Sequence, residues 1–474
     1  MINGIYILVF ALFVLCVSPA FSDKVLALHP RNPHYFIFRG KPLVIVGSGE
    51  HYGAVLNLDF DYIAYLDELQ EKGLNHTRLF SGVYREIATS FGITDNTLAP
   101  LAPDKYICPW ARSNVPGAKD GGNKFDLTKW NDSYFKRLKD FIQQASKRGI
   151  IVEVNLFCPF YDDNLWKVSP MNALNNINGV GNCPSNEVYT LKHPDLTAVQ
   201  EAVTRKIVQE LRNADNIYYE VCNEPYFGGV TMDWQKHIIK VIVETEKNFP
   251  IKHLISLNIA NGSVKVENPP PEVSIFNFHY CYPPDAVQMN YHLNKVIGEN
   301  ETGFRGKEDV LYRTEGWDFI IAGGALYSNL DYSFTYKHPK GTFRDYQSPG
   351  GGSPTLRRQL KILKDFIHGF DFIRMAPDNA VIKAVSEGVK ARALVEEGKQ
   401  YAIYIHEPPQ VGKQANERQV EIKIELPEGT YSYEWLNTKT GNVDKRGKFV
   451  HKGGVRNLIS PIFKEDIALR IMRR

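Results

Sequence analysis

Residues 216–227 read Asn-Ile-Tyr-Tyr-Glu-Val-Cys-Asn-Glu-Pro-Tyr-Phe, and this stretch decides the fold. Ile217, Tyr218, Tyr219 and Val221 have the β-branched and aromatic composition of a strand. The run stops at Asn223-Glu224-Pro225. Pro225 cannot donate a ladder hydrogen bond and biases Glu224 toward an extended conformation. The expectation is a carboxylate held at the C-terminal end of a strand, the end where a β/α barrel gathers its reactive groups. Taken alone, the tripeptide also fits a strand followed by an Asx-Pro turn. The choice between the two rests on what the other strand ends carry.

Working outward from this strand, periodicity predicts eight strands, at roughly residues 43, 76, 151, 217, 254, 274, 295 and 326. Helical spacing falls between most of them, at residues 60–72, 125–148, 194–213, 234–248 and 310–323, with a closing helix at 355–369. Alternating strands and helices imply a parallel sheet. Eight such strands imply a closed (β/α)8 TIM barrel, an α/β fold. The link between the fifth and sixth strands is short and rich in proline. A doubly wound open sheet is the alternative, but no G-x-G-x-x-G follows the first strand.

Residues 35–38 and 42–46 flank a turn and read as a hairpin leading into the first barrel strand. Residues 81–124 and 158–193 are expected as long loops, the kind that form lids or binding walls. From about residue 382 the texture becomes alternating strands, at 391–396, 401–405, 420–424, 431–436 and 468–472. Turn signals such as Glu428-Gly429 separate them, so a C-terminal β-sandwich is expected. The domain plan is a leader at 1–22, a barrel with its hairpin at 23–380, and the sandwich at 381–474. The default role of the sandwich is to support the barrel, with carbohydrate binding as the alternative.

The 474 residues carry a net charge of only +3, with 43% hydrophobic and 23% charged residues, as in ordinary globular proteins. No basic run of five or more occurs, which argues against nucleic acid as a partner. Residues 5–17 are an apolar run of signal-peptide length, followed by Ala20-Phe21-Ser22, so cleavage before Asp23 and export are expected. The run is shorter than the roughly 20 residues that span a bilayer, so stable membrane insertion is not expected. Cys16 would leave with the leader. Five cysteines remain, which makes one or two disulfides plausible in an oxidising compartment, Cys158 with Cys183 being one guess. Asn75, Asn131, Asn261 and Asn300 each head a glycosylation sequon.

On a barrel the strand ends converge. Strand one ends at Glu50-His51, strand two carries Arg78, and strand four ends at Asn223-Glu224. Strand six ends at His279-Tyr280, strand seven at Glu299-Asn300-Glu301, and strand eight at Asp331-Tyr332. Two opposed carboxylates are what cleavage of a glycosidic bond needs: one protonates the leaving oxygen and the other attacks the anomeric carbon. Metal-ligand spacing of the H-E-x-x-H kind and a G-x-S-x-G elbow are both missing, so the chemistry read here calls for no metal and no organic cofactor.

The order of these motifs resembles the glycoside hydrolase clan A superfamily, of which family 5 is one member. The resemblance is carried by Arg78, Asn223-Glu224-Pro225, the His279-Tyr280 pair and the strand-seven glutamate, and it covers the barrel. It implies a retaining glycosidase acting on a poly- or oligosaccharide, with Glu224 as acid/base and the strand-seven glutamate as nucleophile. Glu299, Glu301 and Glu315 compete for that last role. Glu315 has helical spacing with Trp317, Ile320 and Ile321. Glu299 and Glu301 share strand parity and are expected to point the same way. Glu301 is preferred because it is nearer the mouth and because Glu301-Thr302-Gly303 resembles the ending common in the clan.

Supporting roles follow. Asn223 is expected to bind the sugar 2-hydroxyl, which requires a distorted strand end if Asn223 and Glu224 are both to reach the pocket. Arg78 is expected to keep the nucleophile ionised. His279 and Tyr280 would orient the nucleophile or touch the sugar, with Tyr282 the alternative to Tyr280. His51 would bind a non-reducing sugar, and Trp110 and Trp166 are candidate stacking platforms or core residues. The rival functions are a non-catalytic carbohydrate-binding barrel, whose mark would be a missing carboxylate, and a transglycosidase.

Overall fold

Eight parallel strands pair in one continuous sheet of sequence neighbours in the computed structural model, which describes residues 24–413 and 415–474. They are β1 (Ile45–Gly49), β2 (His76–Phe80), β3 (Ile151–Phe157), β4 (Ile217–Cys222), β5 (Leu254–Asn261), β6 (Ile275–His279), β7 (Val296–Glu301) and β8 (Leu326–Leu330). The hydrogen-bonded order runs β1-β8-β7-β6-β5-β4-β3-β2, which is that of a (β/α)8 barrel. Asn75 fastens β1 to β2. Its backbone N–H donates to the Val46 carbonyl at 3.2 Å, and its side chain bonds Val46 N at 2.8 Å and the Val44 carbonyl at 3.0 Å. Asn75 is therefore buried and committed, and so is Asn300 inside the barrel, so a glycan on either would not fit this fold.

The helices that cover the barrel begin where their sequences place caps. They are α1 (Tyr62–Glu71), α2 (Asp132–Lys147), α3 (Pro194–Glu210), α4 (Met232–Glu246), α5 (Asp285–Asn290), α6 (Asp309–Ile321) and α7 (Pro354–His368). Asp61, Asn131, Thr231 and Ser353 each accept a backbone N–H of the first turn, at α1, α2, α4 and α7. Pro194 and Pro354 stand at the first helical position of α3 and α7. Among the described residues no helix separates β5 from β6, as the Pro-rich link predicts.

Four local readings are corrected. The first barrel strand does not start at residue 42: Lys41–Leu43 pairs back on Phe36–Phe38, and the barrel strand begins at Ile45. Residues 125–130 are not helical. Trp110–Pro116 and Asn123–Trp130 form an antiparallel hairpin that begins in the expected loop and runs into the expected helix, and the helix starts only after the Asn131 cap. Phe125, Asp126, Leu127 and Thr128 alternate apolar and polar residues, a strand signal that the apolar positions further along α2 obscured. Asp331 and Tyr332 lie beyond β8, which ends at Leu330. The five cysteines Cys108, Cys158, Cys183, Cys222 and Cys281 are all free, so the guessed Cys158 and Cys183 pairing does not form.

The C-terminal strands are β9 (Ala376–Pro377), β10 (Ile382–Val385), β11 (Lys390–Glu396), β12 (Gln400–His406), β13 (Glu421–Leu436), β14 (Val443–Ile459) and β15 (Asp466–Arg473). They form an antiparallel network in which the long strand β13 pairs with β10, β14 and β15. Glu428-Gly429 does not interrupt β13, which runs through it. Ile403 and Ile405 of β12 share a second core with Ile422 and Ile424 of β13 and with Ile467, Leu469 and Ile471 of β15. The opposite face of β12 packs on the barrel, where the Tyr404 ring stacks on Trp317 of α6 at 5.3 Å between centroids. Arg313 of α6 meets buried Asp466 at 2.6 Å. No helix among the described residues is long and apolar enough to cross a membrane. The expected leader at 1–22 lies outside the described residues.

Candidate active site

The C-terminal ends of β2, β4, β6 and β7 bring Arg78, Asn223, Glu224, His279, Tyr280 and Glu301 together. Arg78 is the hub, fully enclosed within the barrel. Its Nη1 donates to Glu301 Oε2 at 2.8 Å, its Nη2 to Asn223 Oδ1 at 2.9 Å and to Glu220 Oε1 at 2.8 Å, and its Nε to Glu153 Oε1 at 2.7 Å. The guanidinium also lies over the Tyr52 ring, 4.4 Å from its centroid. Three carboxylates around one cation inside a barrel would repel one another strongly without further donors. Asn300 and Asn277 donate to Glu220, Asn300 also donates to Glu153, and the Tyr218 hydroxyl donates to Glu153 at 2.6 Å. Gly298 leaves room for this network, because a Cβ there would collide with Asn277.

Glu301 is held from every side. Tyr52 donates to Oε2 at 2.7 Å, and Tyr280 donates to Oε1 at 2.7 Å. His279 Nδ1 lies 3.4 Å from Oε1. Burial alone would push this carboxyl up, but His279, Arg78 and the two tyrosine hydroxyls outweigh it and hold the group down at about 2. It is a carboxylate kept ionised and pointed at the pocket.

Glu224 faces it. An oxygen of Glu224, His279 Nδ1 and an oxygen of Glu301 all lie within 4.8 Å of one another. His279 Nδ1 is 3.2 Å from Glu224 Oε1, Tyr161 donates to Oε2 at 2.6 Å, and Tyr226 donates to Oε1 at 3.2 Å. The expected distortion of the strand end is present. Glu224 has φ +36° and Tyr280 has φ +51°, both in the left-handed region that non-glycine residues seldom adopt. The reversal lets Asn223 and Glu224 both line the pocket, and Tyr280 line it while His279 stays buried between the two carboxyl groups. Asn223 Nδ2 donates to the Tyr161 hydroxyl at 3.1 Å.

Glu299 does not point the same way as Glu301, and the reason is a break in the strand. The pairing of β6 with β7 shifts register, Phe278 opposite Glu299 and His279 opposite Glu301, so Asn300 is an inserted bulge residue. The bulge turns Glu299 away from the barrel, where its Oε1 accepts the Cys281 N–H at 2.7 Å. Burial and the neighbouring Glu315 push the Glu299 carboxyl well above the usual range. Glu315 lies in α6 and accepts the Thr302 hydroxyl.

The other expectations divide. His51 lines the same pocket, with Nε2 3.2 Å from both oxygens of Glu86. Asp331 does not join the site: it is bound to Arg357 of α7 and to Ser48. Tyr282 lies under Arg305, 4.2 Å from its guanidinium carbon, so Tyr280 is the pocket tyrosine. Trp110 and Trp166 are 1% and 2% exposed and are core residues. Sequence reasoning missed Tyr52, Glu86, Glu153, Tyr161, Glu220 and Tyr226. For Glu153 and Glu220 a signal existed, namely a carboxylate in the middle of a buried β-branched strand, a position that demands a partner. Tyr161 and Tyr226 sit in turns and gave none.

Chemically, the pocket offers one ionised carboxylate, a second carboxyl group across from it, and hydroxyl and amide groups around both. Glu224, His279 and Glu301 could also offer a cation one atom each, although Arg78 already supplies a fixed positive charge to Glu301.

Comparison with known proteins is consistent with this architecture. A domain of unknown function, DUF6298, matches residues 99–265. No curated protein matches the chain by sequence. Among solved structures, a glycoside hydrolase family 5 protein from Bacteroides vulgatus ATCC 8482 superposes with a TM-score of 0.62 at 13% identity, covering 95% of this chain and 94% of that one. A structure described as a glycoside hydrolase superposes with a TM-score of 0.61 at 14% identity, covering 95% and 97%. These likenesses show the fold: a (β/α)8 barrel carrying a C-terminal β domain.

Proposed function

We propose that this chain is a retaining glycoside hydrolase that cleaves a poly- or oligosaccharide by double displacement. The observation that carries the proposal is the approach of the Glu224 and Glu301 carboxyl groups, within 4.8 Å at their nearest ligand atoms, with only one of them locked to a cation. Retaining glycosidases hold their two carboxyl groups about 5 Å apart, and inverting ones hold them farther apart to admit a water.

Glu301 attacks the anomeric carbon while Glu224 passes a proton to the departing glycosidic oxygen. A covalent glycosyl ester forms on Glu301. Glu224 then takes a proton from water, which attacks the same carbon and releases Glu301. Arg78, Tyr52 and Tyr280 keep the attacking oxygens ionised and fixed before substrate arrives, so little reorganisation remains for the transition state. Asn223, bound to Arg78 and Tyr161, is placed to meet the sugar 2-hydroxyl, where hydrogen bonds tighten toward the transition state.

The test is the anomeric configuration of the first product, followed by proton NMR on a cleaved aryl glycoside. Retention supports the reading, and inversion contradicts it. A transglycosidase would use the same residues but transfer the sugar to an alcohol in preference to water. The apolar run at residues 5–17 supports export, which N-terminal sequencing of the exported chain would test at Asp23.

A further inference from the structure

We infer that the candidate active site is a blind pocket, closed at its glycone end, so that the chain removes single neutral sugars from chain ends. Glu86 and His51 form the pair that binds the terminal sugar. This inference rests on the glycosidase reading and adds to it the mode of attack and the substrate class.

Closure comes from a bridge between two loops. The loop after β2 meets the loop after β8 through Thr94. Its N–H donates to the Gln347 carbonyl at 2.9 Å, and its hydroxyl accepts the Gln347 N–H at 2.9 Å. Beside it, Asp95 accepts from the Tyr336 hydroxyl at 3.1 Å and pairs with Lys337 at 2.9 Å. The same strip continues into the pocket wall through Leu98, and through Asn96, which donates to Glu86 at 2.5 Å. Strand order places β8 beside β1, and the Asn75 bonds to Val46 bring β2 to the other side of β1, so these three lie opposite β4, β5 and β6. The bridge therefore blocks the side of the barrel mouth away from Glu224. On the Glu224 side, Tyr226 and Phe227 are exposed, leaving an open exit for the leaving group.

At the closed end stands a third carboxylate that the two-carboxylate mechanism does not use. Glu86 is almost wholly enclosed and held by Asn96, His51 and Tyr84. A carboxylate so fixed is a strong acceptor for sugar hydroxyls. The pocket also disfavours a uronate, because Glu224 and Glu301 line it beside the Glu86–His51 pair and would face the added charge in a confined space. His51 is drawn toward its protonated form: burial opposes this, but Glu86 outweighs it. Its Nδ1 has no partner among the described residues.

The experiment uses hexaoses of the gluco, manno, galacto and xylo series carrying a 2-aminobenzamide label at the reducing end, with 4-nitrophenyl monoglycosides and a 4-nitrophenyl glucuronide beside them. The expected first products are an unlabelled monosaccharide and a labelled pentaose. The monoglycoside of the same sugar is cleaved and the glucuronide is refused. Glu86→Ala raises KM for the monoglycoside by about 10- to 100-fold, the loss expected for hydrogen bonds to a charged group. Glu86→Gln, which keeps an acceptor for Asn96, shows a smaller rise. Labelled di- or trisaccharides as first products overturn the blind pocket while leaving the glycosidase reading intact. An unchanged KM in both Glu86 variants overturns the assigned pair. If nothing in the panel is cleaved, the glycosidase reading fails and this inference falls with it.

Discussion

Arg78 Nη1 lies 2.8 Å from Glu301 Oε2 while the same guanidinium holds Glu153 and Glu220, so the barrel's buried charges and its candidate nucleophile are one electrostatic unit. Replacing Arg78 with Lys keeps a charge but loses the planar fork that reaches three carboxylates. Arg78→Lys is expected to lower kcat/KM by about 100-fold or more, the order found when a preorganised electrostatic contact is lost. Arg78→Met leaves buried carboxylates unpaired and is expected to cost about 3–5 kcal/mol. Denaturant unfolding beside steady-state kinetics separates the two effects.

Glu301 also sets a stability signature in acid. Its carboxyl is held at about 2 in the folded chain, against about 4.3 in an unfolded one. A depressed carboxyl contributes stability that is full above the unfolded value and is lost as pH falls toward the folded value. The shift corresponds to on the order of 3 kcal/mol. Melting temperature is expected to fall between about pH 4 and about pH 2 more steeply in the wild type than in Glu301→Gln.

Glu299 is expected to behave in the opposite sense. Its folded pKa is raised by burial and by Glu315, so stability is lost as pH rises from the unfolded value toward the folded one. Glu299→Gln mimics the protonated form. It is expected to keep wild-type activity and to gain stability relative to wild type on the alkaline side. Loss of turnover in this variant would place Glu299 in the chemistry.

This contrast shows where the sequence ceases to be legible. Strand and helix alternation, the strand-four motif and the converging ends can be read from residue pattern, because period and turn chemistry are local. Whether Glu299 or Glu301 faces the pocket depends on one bulge residue, Asn300, and a bulge is decided by pairing with β6. The hairpin at residues 110–130 and the Asn96 to Glu86 contact likewise depend on partners distant in the chain. The free cysteines show the same limit, since spacing alone does not say which thiols meet.

The β domain is expected to unfold together with the barrel. Arg313 of α6 is buried against Asp466 of β15, and Trp317 stacks on Tyr404. Arg313→Ala leaves Asp466 buried without its partner, a loss of about 3–5 kcal/mol. Calorimetry is expected to show one transition in the wild type and a lower melting temperature in the variant. Two well-separated wild-type transitions would mean that the interface couples the domains weakly.

The most direct measurement is to trap the glycosyl ester with an activated 2-deoxy-2-fluoro glycoside of the cleaved sugar and to map the modified peptide by mass spectrometry. The account predicts one adduct, on Glu301, formed also in Glu299→Gln and abolished in Glu301→Gln. An adduct on Glu299 or Glu224, or rapid turnover of the parent substrate with no adduct and an inverted product, would contradict it.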